Sequence, residues 1–153
     1  MAISVVIDAN LLVLLVAGNT DRNLIGRHKN VSYDEDGFDL LVETLEEYSQ
    51  IVLTPNTLTE ASNLLRQVGE PDRARVTFSL GEFIQGYDER YVVSKEATVE
   101  KTFVWLGLTD AALMALARSG AVLLSSDNDL YLAASRAGFD AVNFAHLYDA
   151  RFG

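Results

Sequence analysis

Three times in this chain a short aliphatic run ends at a residue able to cap a helix, and an apolar helix pattern follows at once. The first instance is "SVVIDANLLV" (4–13), the second "IVLTPNTLTE" (51–60) and the third "AVLLSSDNDLYLAA" (121–134). "LGLTDAALMALARSG" (106–120) repeats the second half of the pattern, with Thr109 as cap, Asp110 in the first turn and Gly120 as terminator. Strands alternating with helices imply a parallel sheet covered on both faces. The expected fold is therefore α/β and three-layered, with a central, mostly parallel sheet of four to five short strands.

The remaining elements follow from periodicity and punctuation. Residues 3–7 read as a strand and a helix starts near Leu11, whereas 18–36 is polar and irregular. Phe38, Leu41, Leu45 and Tyr48 share one face of a helix over 38–49. Thr54 is placed to cap a helix with Pro55 at its first position, and Leu58, Ala61, Leu65 and Val68 form its stripe up to Gly69. A helix from Pro71 to Ile84, a strand at 91–93, a last strand at 141–144 and a short final helix complete the reading.

With 153 residues, 49% of them hydrophobic, the chain is expected to form one domain over 1–153. The absence of cysteine excludes disulfides and thiolate-ligated zinc or iron–sulfur centres. "LLVLLVA" (11–17) looks like part of a secretion signal. No Lys or Arg precedes it, however, and Asp8 and Asn10 interrupt the apolar run. No apolar stretch reaches the ~18 residues that a membrane span needs. A cytoplasmic protein without membrane contact is expected.

The placement of the acids carries the functional argument. Ligands of open parallel sheets bind outside the carboxyl ends of the strands. Asp8 follows the first strand, Asp127 and Asp129 follow the 121–126 strand, Asp110 opens a helix, and Glu60 lies early in the helix after the second strand. Each has an ordinary use as a turn, cap or surface residue. Together, five carboxylates at one edge repel one another unless a cation neutralises them. An all-oxygen donor set in a chain with two histidines suits Mg²⁺ or Mn²⁺. Two such ions, about 4 Å apart, would clamp a phosphodiester. The net charge of −10 then ceases to argue against a nucleic-acid substrate.

"VVIDANLLV", "LTPNTLTEASNLL", "LGLTDAALMALA" and "LLSSDNDLYLAASRAGFDAVNF", in that order, resemble a PIN domain, the fold of the VapC-type toxin ribonucleases and related nucleases. The resemblance implies metal-dependent endonucleolytic cleavage of RNA, leaving 5′-phosphate and 3′-hydroxyl ends. It assigns Asp8, Asp110 and Asp127 as direct ligands of Mg²⁺ or Mn²⁺, with Glu60 and Asp129 acting through water or on a second ion. Asn10 takes a small polar place beside the first acid, and Ser126 takes a hydroxyl place that orients a carboxylate or a bound water.

An antitoxin protein and a second copy of the chain are the partners implied. Arg22, Arg27, Lys29 and Arg66 are the candidate phosphate contacts. Trp105 and the other aromatics are expected in the core or at a dimer contact, and His28 and His146 at the surface or in caps. The alternatives are another nuclease role, on maturing RNA or on DNA, and a silent binding or scaffold subunit. A phosphatase or receiver domain would want a lysine near its nucleophilic aspartate, and none of the four motifs contains one.

Overall fold

Five short strands, β1 (Ser4–Ile7), β2 (Gln50–Leu53), β3 (Asp88–Glu89), β4 (Val122–Ser125) and β5 (Ala141–Asn143), form one all-parallel sheet in the computed structural model, which describes residues 3–153. Their order is β3-β2-β1-β4-β5, with Val6 opposite Val52 on one side and Leu123 on the other. The chain starts in the middle, moves outward through β2 and β3, and then returns across β1 to β4. A parallel sheet opens a crevice where its winding reverses in this way, at the carboxyl ends of the two strands involved. Here those ends are Ile7 and Ser125.

Side chains alternate between the two faces, as the pleat demands. Val5, Ile7, Leu53 and Leu124 enter one core; Val6, Val52 and Leu123 enter the other. The first core is covered by α1 (Ala9–Thr20), α2 (Glu35–Leu45), α3 (Pro55–Leu65), α4 (Asp72–Gly86) and α8 (Phe144–Phe152). The second lies under α6 (Phe103–Arg118) and α7 (Asn128–Arg136). A single turn, α5 (Ser94–Ala97), precedes α6. The architecture is the expected three-layer α/β fold.

The run that looked like a secretion signal is the central helix of the larger core. Every residue from Leu11 to Gly18 is buried, because α2, α3 and α4 surround α1. A helix buried on all sides has no need of a polar face, and each such Leu or Val contributes roughly 1.5–3 kcal/mol. Among the described residues no helix is long and apolar enough to cross a membrane.

Several local expectations are corrected. The outer strand is Asp88–Glu89, while Tyr91, Val92 and Val93 form no strand. α2 begins at Glu35 because Asp34 caps it through Gly37 N–H (2.9 Å), and it ends before Tyr48. Residues 18–36 are less irregular than they read: α1 runs on to Thr20, and Arg22–Leu24 forms a 3-10 turn. Thr109 makes no capping hydrogen bond. The helix already begins at Phe103 and breaks at Gly107 (φ 85°, ψ 179°), a conformation essentially restricted to glycine. Asp110 thus lies in the first turn after the break. Trp105, expected in the core or at a dimer contact, lies outside both cores and is 78% exposed.

Candidate functional site

The crevice at the switch point is built around Asp8. This residue caps α1, its Oδ1 accepting Leu11 N–H at 2.9 Å. Its Oδ2 accepts the Ser125 hydroxyl at 2.6 Å and Ser126 N–H at 2.9 Å. Ser125 Oγ in turn accepts Asp127 N–H at 2.9 Å. One buried carboxylate therefore joins the ends of β1 and β4 while starting a helix. Burial pushes the Asp8 carboxyl above its ordinary range; the three donors pull the other way, and the Asp127 charge adds to the rise.

The hydroxyl expected from Ser126 is supplied instead by Ser125, which is fully buried. Ser126 contributes its backbone N–H. The strand register decides this: Ser125 opposes Asn143 as the last residue of β4 and points inward, and its neighbour falls beyond the sheet.

Asp127 caps α7, accepting from the N–H groups of Asp129 (2.9 Å) and Leu130 (3.2 Å), and it is exposed. Asp110 arrives from across the crevice on α6. Its carboxyl is pushed up to about 7, first by burial and then by the charges of Asp127, Glu60 and Asp8. Glu60, on an exposed turn of α3, is thus part of the same electrostatic cluster. Four acids from four elements bear on one another.

Asp129 follows two residues after Asp127. It faces a neighbouring hollow of about 340 Å³ with Trp105, Leu106 and Arg136. Asn10 stands exposed on the first turn of α1, above Asp8.

Among the described residues no cation side chain offsets the four. Every ion pair among the described residues engages other acids, namely Asp21, Glu35, Asp39, Glu43, Asp72 and Glu100. Two of the expected phosphate contacts are thereby consumed. Arg22 is held by Glu35 (3.0 Å) and Asp39 (2.7 Å), and Arg27 by Asp72 (3.0 Å). Arg66 closes α3 at the end away from Thr54 and the crevice. Lys29 is exposed and makes no such pair. His28 bonds Asp72 at 3.0 Å, and His146 lies edge-on to Tyr131.

The donor chemistry of the cluster suits a hard divalent ion. It consists entirely of carboxylate oxygens, unpaired by any cation and concentrated where the fold opens a crevice. As placed, no three acidic or histidine side chains among the described residues form a finished cage.

Beside Glu60 an open groove of about 500 Å³ is lined by Asn56, Thr59, Tyr91, Val93 and Thr109. Tyr91 on this groove and Trp105 in the Asp129 hollow are both more than three-quarters exposed. Arg90, Lys95 and Lys101 lie along the same segment, exposed and outside the ion pairs above.

Sequence reasoning missed two neighbours of the site. Ser125 was legible only as half of a Ser-Ser pair. Tyr33, in the irregular stretch, lies beside Ser126 and within the field of Asp8. No periodicity announces such a residue.

No protein-family model matches the chain, and no curated protein matches it. Solved structures do. The crystal structure of PAE2754 from Pyrobaculum aerophilum aligns with a TM-score of 0.61 at 20% identity, over 96% of this chain and 93% of that one. A domain of a functionally unknown protein from Methanocaldococcus jannaschii aligns with a TM-score of 0.50 at 16% identity, over 93% and 91%. At these identities the likeness is one of fold, extending over nearly the whole length of both chains.

Proposed function

We propose that this protein is a metal-dependent endoribonuclease whose carboxylates Asp8, Asp110, Asp127 and Glu60 hold Mg²⁺ or Mn²⁺ at the switch-point crevice. The observation that carries the reading is Asp110, a half-buried acid whose carboxyl is pushed up to about 7 first by burial and then by the charges of three other carboxylates, with no basic side chain among them. A fold gains nothing from such an arrangement unless the crevice receives a cation. The resemblance of the four motifs to PIN domains supports the same conclusion and adds RNA as the substrate.

When bound, the metal lowers the pKa of water and offsets charge on the phosphoryl oxygens. The chain's own part is to place the acids. Asp8 is locked by three donors, whereas Asp110, its carboxyl pushed up to about 7, would hold the ion as a carboxylate once deprotonated. Asp127 and Glu60 meet solvent where a substrate would enter. Asp129, which also lines the neighbouring hollow, would act through water or on a second ion. The grooves past Glu60 and Trp105 give a strand room on either side of the crevice, beside the free Arg90, Lys95 and Lys101.

Val99, Val104 and Trp105 leave an exposed apolar surface on this segment. Such a surface fits the second reading, in which the chain is the toxin of a toxin–antitoxin pair and meets its antitoxin or a second copy there. The test of the enzymatic reading is Mn²⁺ titration calorimetry of the wild type and Asp110→Asn, followed by cleavage of a single-stranded RNA. Binding and cleavage in the wild type, both lost in the variant, are expected. An inert wild type that binds no Mn²⁺ would move the chain to the class of silent scaffolds.

A further inference from the structure

We infer that Tyr33 is a substrate-contacting residue of this site, its phenolic O–H donating to a non-bridging oxygen of the phosphodiester bound against Asp8, Asp110 and Asp127. The inference rests on the nuclease reading above and adds to it a residue outside the four motifs.

Among the described residues Tyr33 is the non-glycine with a positive φ, 71°. For a bulky side chain this conformation is an outlier that persists only where the surroundings enforce it, and such positions gather at functional sites. The surroundings here do enforce it. The Tyr33 ring meets Phe144 edge-on, with centroids 5.1 Å apart and planes at 88°, and it leans on Tyr148 at 5.2 Å. Tyr148 Oη donates to Asp34 Oδ2 at 2.7 Å, and the other oxygen of Asp34 caps α2 at Gly37. A Cβ on Gly37 would stand 2.7 Å from Tyr33 Cβ, so the ring's seat requires glycine there. Two aromatic rings, a cap and a glycine thus fix one phenol.

The place it is fixed in has few free donors besides the side chains of Ser126 and Asn10. Phe144 directly follows β5, so its partner ring lies at the carboxyl end of the sheet, beside Ser126 and within the field of Asp8. Ionised carboxylates offer only acceptors, and so does a phosphodiester. Leu11 N–H, the Ser125 hydroxyl and Ser126 N–H are already given to Asp8, and Arg22 and Arg27 are given to acids elsewhere. A cationic donor at this point would neutralise the carboxylates and compete with the metal. A neutral phenol does neither. Burial and the nearby Asp8 charge hold Tyr33 above the ordinary tyrosine range, so it keeps its proton.

Tyr33→Phe retains both ring contacts and removes the oxygen alone. The probe is a fluorescein-labelled ten-nucleotide oligouridylate, its binding read by anisotropy with Ca²⁺ in place of Mn²⁺. Mn²⁺ affinity is read separately by calorimetry, and folding by thermal melting. The expected result is strand binding weakened about tenfold, as for loss of a hydrogen bond to a charged group, with Mn²⁺ affinity and Tm unchanged. Wild-type strand binding in the variant overturns the inference and leaves the nuclease reading intact. Loss of Mn²⁺ affinity along with strand binding also overturns it, because Tyr33 would then act by shaping the metal site. A wild type that binds neither Mn²⁺ nor the strand removes the nuclease reading itself, and the inference falls with it.

Discussion

The two ends of α1 carry two clusters of acids that follow opposite rules. Twelve residues, about 18 Å of helix, separate Asp8 at the start from Asp21 at the end. At the far end Asp21 and Asp72 share Arg75, while Arg27 and His28 close on Asp72. Both carboxyls are held below their ordinary range: Asp72 first by its His28 hydrogen bond, Asp21 first by Asn23 N–H and then by Arg75. At the near end Asp8 and Asp110 are both raised, and no basic residue answers them. The helix dipole alone does not account for the contrast. Along α1 it favours acids at the start and disfavours them at the end, yet Asp72, which itself opens α4 at a favourable helix start, is also paired with arginines. Residue type is the same in both places, so compensation is what separates a structural cluster from one kept open for a ligand.

The largest expected effect sharpens that contrast directly. Asp110→Asn should reduce Mn²⁺ affinity on the order of a hundredfold, comparable with the upper range for losing part of a metal site. In metal-free buffer the same variant should melt a few degrees higher than wild type, since it removes a repelled charge. Saturating Mn²⁺ should reverse the order, because ligand binding stabilises only the protein that binds. A variant that lost stability in every buffer would make Asp110 an ordinary structural residue.

The pH dependence gives the second test. Asp110 has a folded pKa of about 7 against an ordinary 3.8. Between those values the folded state keeps a proton that the unfolded state has released, so the group's contribution to stability declines as pH rises. In metal-free urea titrations the stability advantage of Asp110→Asn should therefore grow from about pH 4 to about pH 7 and then level. Asp72 has the opposite sign. Its contribution is present above the ordinary carboxylate range and is lost as pH falls through its lowered value. Asp72→Asn should destabilise at neutral pH, leaving Arg27 and Arg75 without their shared partner, and should leave Mn²⁺ affinity untouched.

Ser125→Ala comes next. Removing one donor from a buried carboxylate should cost about 1–3 kcal/mol and weaken Mn²⁺ binding about tenfold through the loosened Asp8; urea melts and calorimetry read the two. The smallest effect expected is that of Arg22→Gln. Its pairs with Glu35 and Asp39 are exposed, and such pairs contribute little. Binding of a labelled oligonucleotide should not change. A clear loss would restore Arg22 as a phosphate contact and blur the line between the two ends of α1.

Much of this was legible from residue order. The capping threonine and aspartates, Pro55 at the start of α3, and the aliphatic runs of β1, β2 and β4 are local signals read from adjacent positions. Asp8 was legible as an anomaly, a charge in an apolar run, though not as a weld between two strands. The strand at 91–93 was misread because Tyr-Val-Val has strand propensity, but the edge of the sheet is filled by Asp88–Glu89 pairing with Val52 and Leu53. Thr109 was misread as a cap because the break at Gly107 is a matter of backbone dihedrals. The fates of Arg22 and Arg27 depend on partners 13 to 45 residues away, and no spacing rule reaches that far.

What the sequence determined alone is the alternation of strand and helix, and with it the certainty that some acids would stand at strand ends. Pleat, cap and turn preferences act over a few residues, and that is the range over which a sequence can be read directly. The tertiary structure decided which acids meet. It set Asp110 against Asp127, Glu60 and Asp8, chose Ser125 over Ser126 by strand register, and brought Tyr33 to the rim. Electrostatic compensation is a property of neighbours in space, and neighbours in space are fixed only when the sheet has closed around β1.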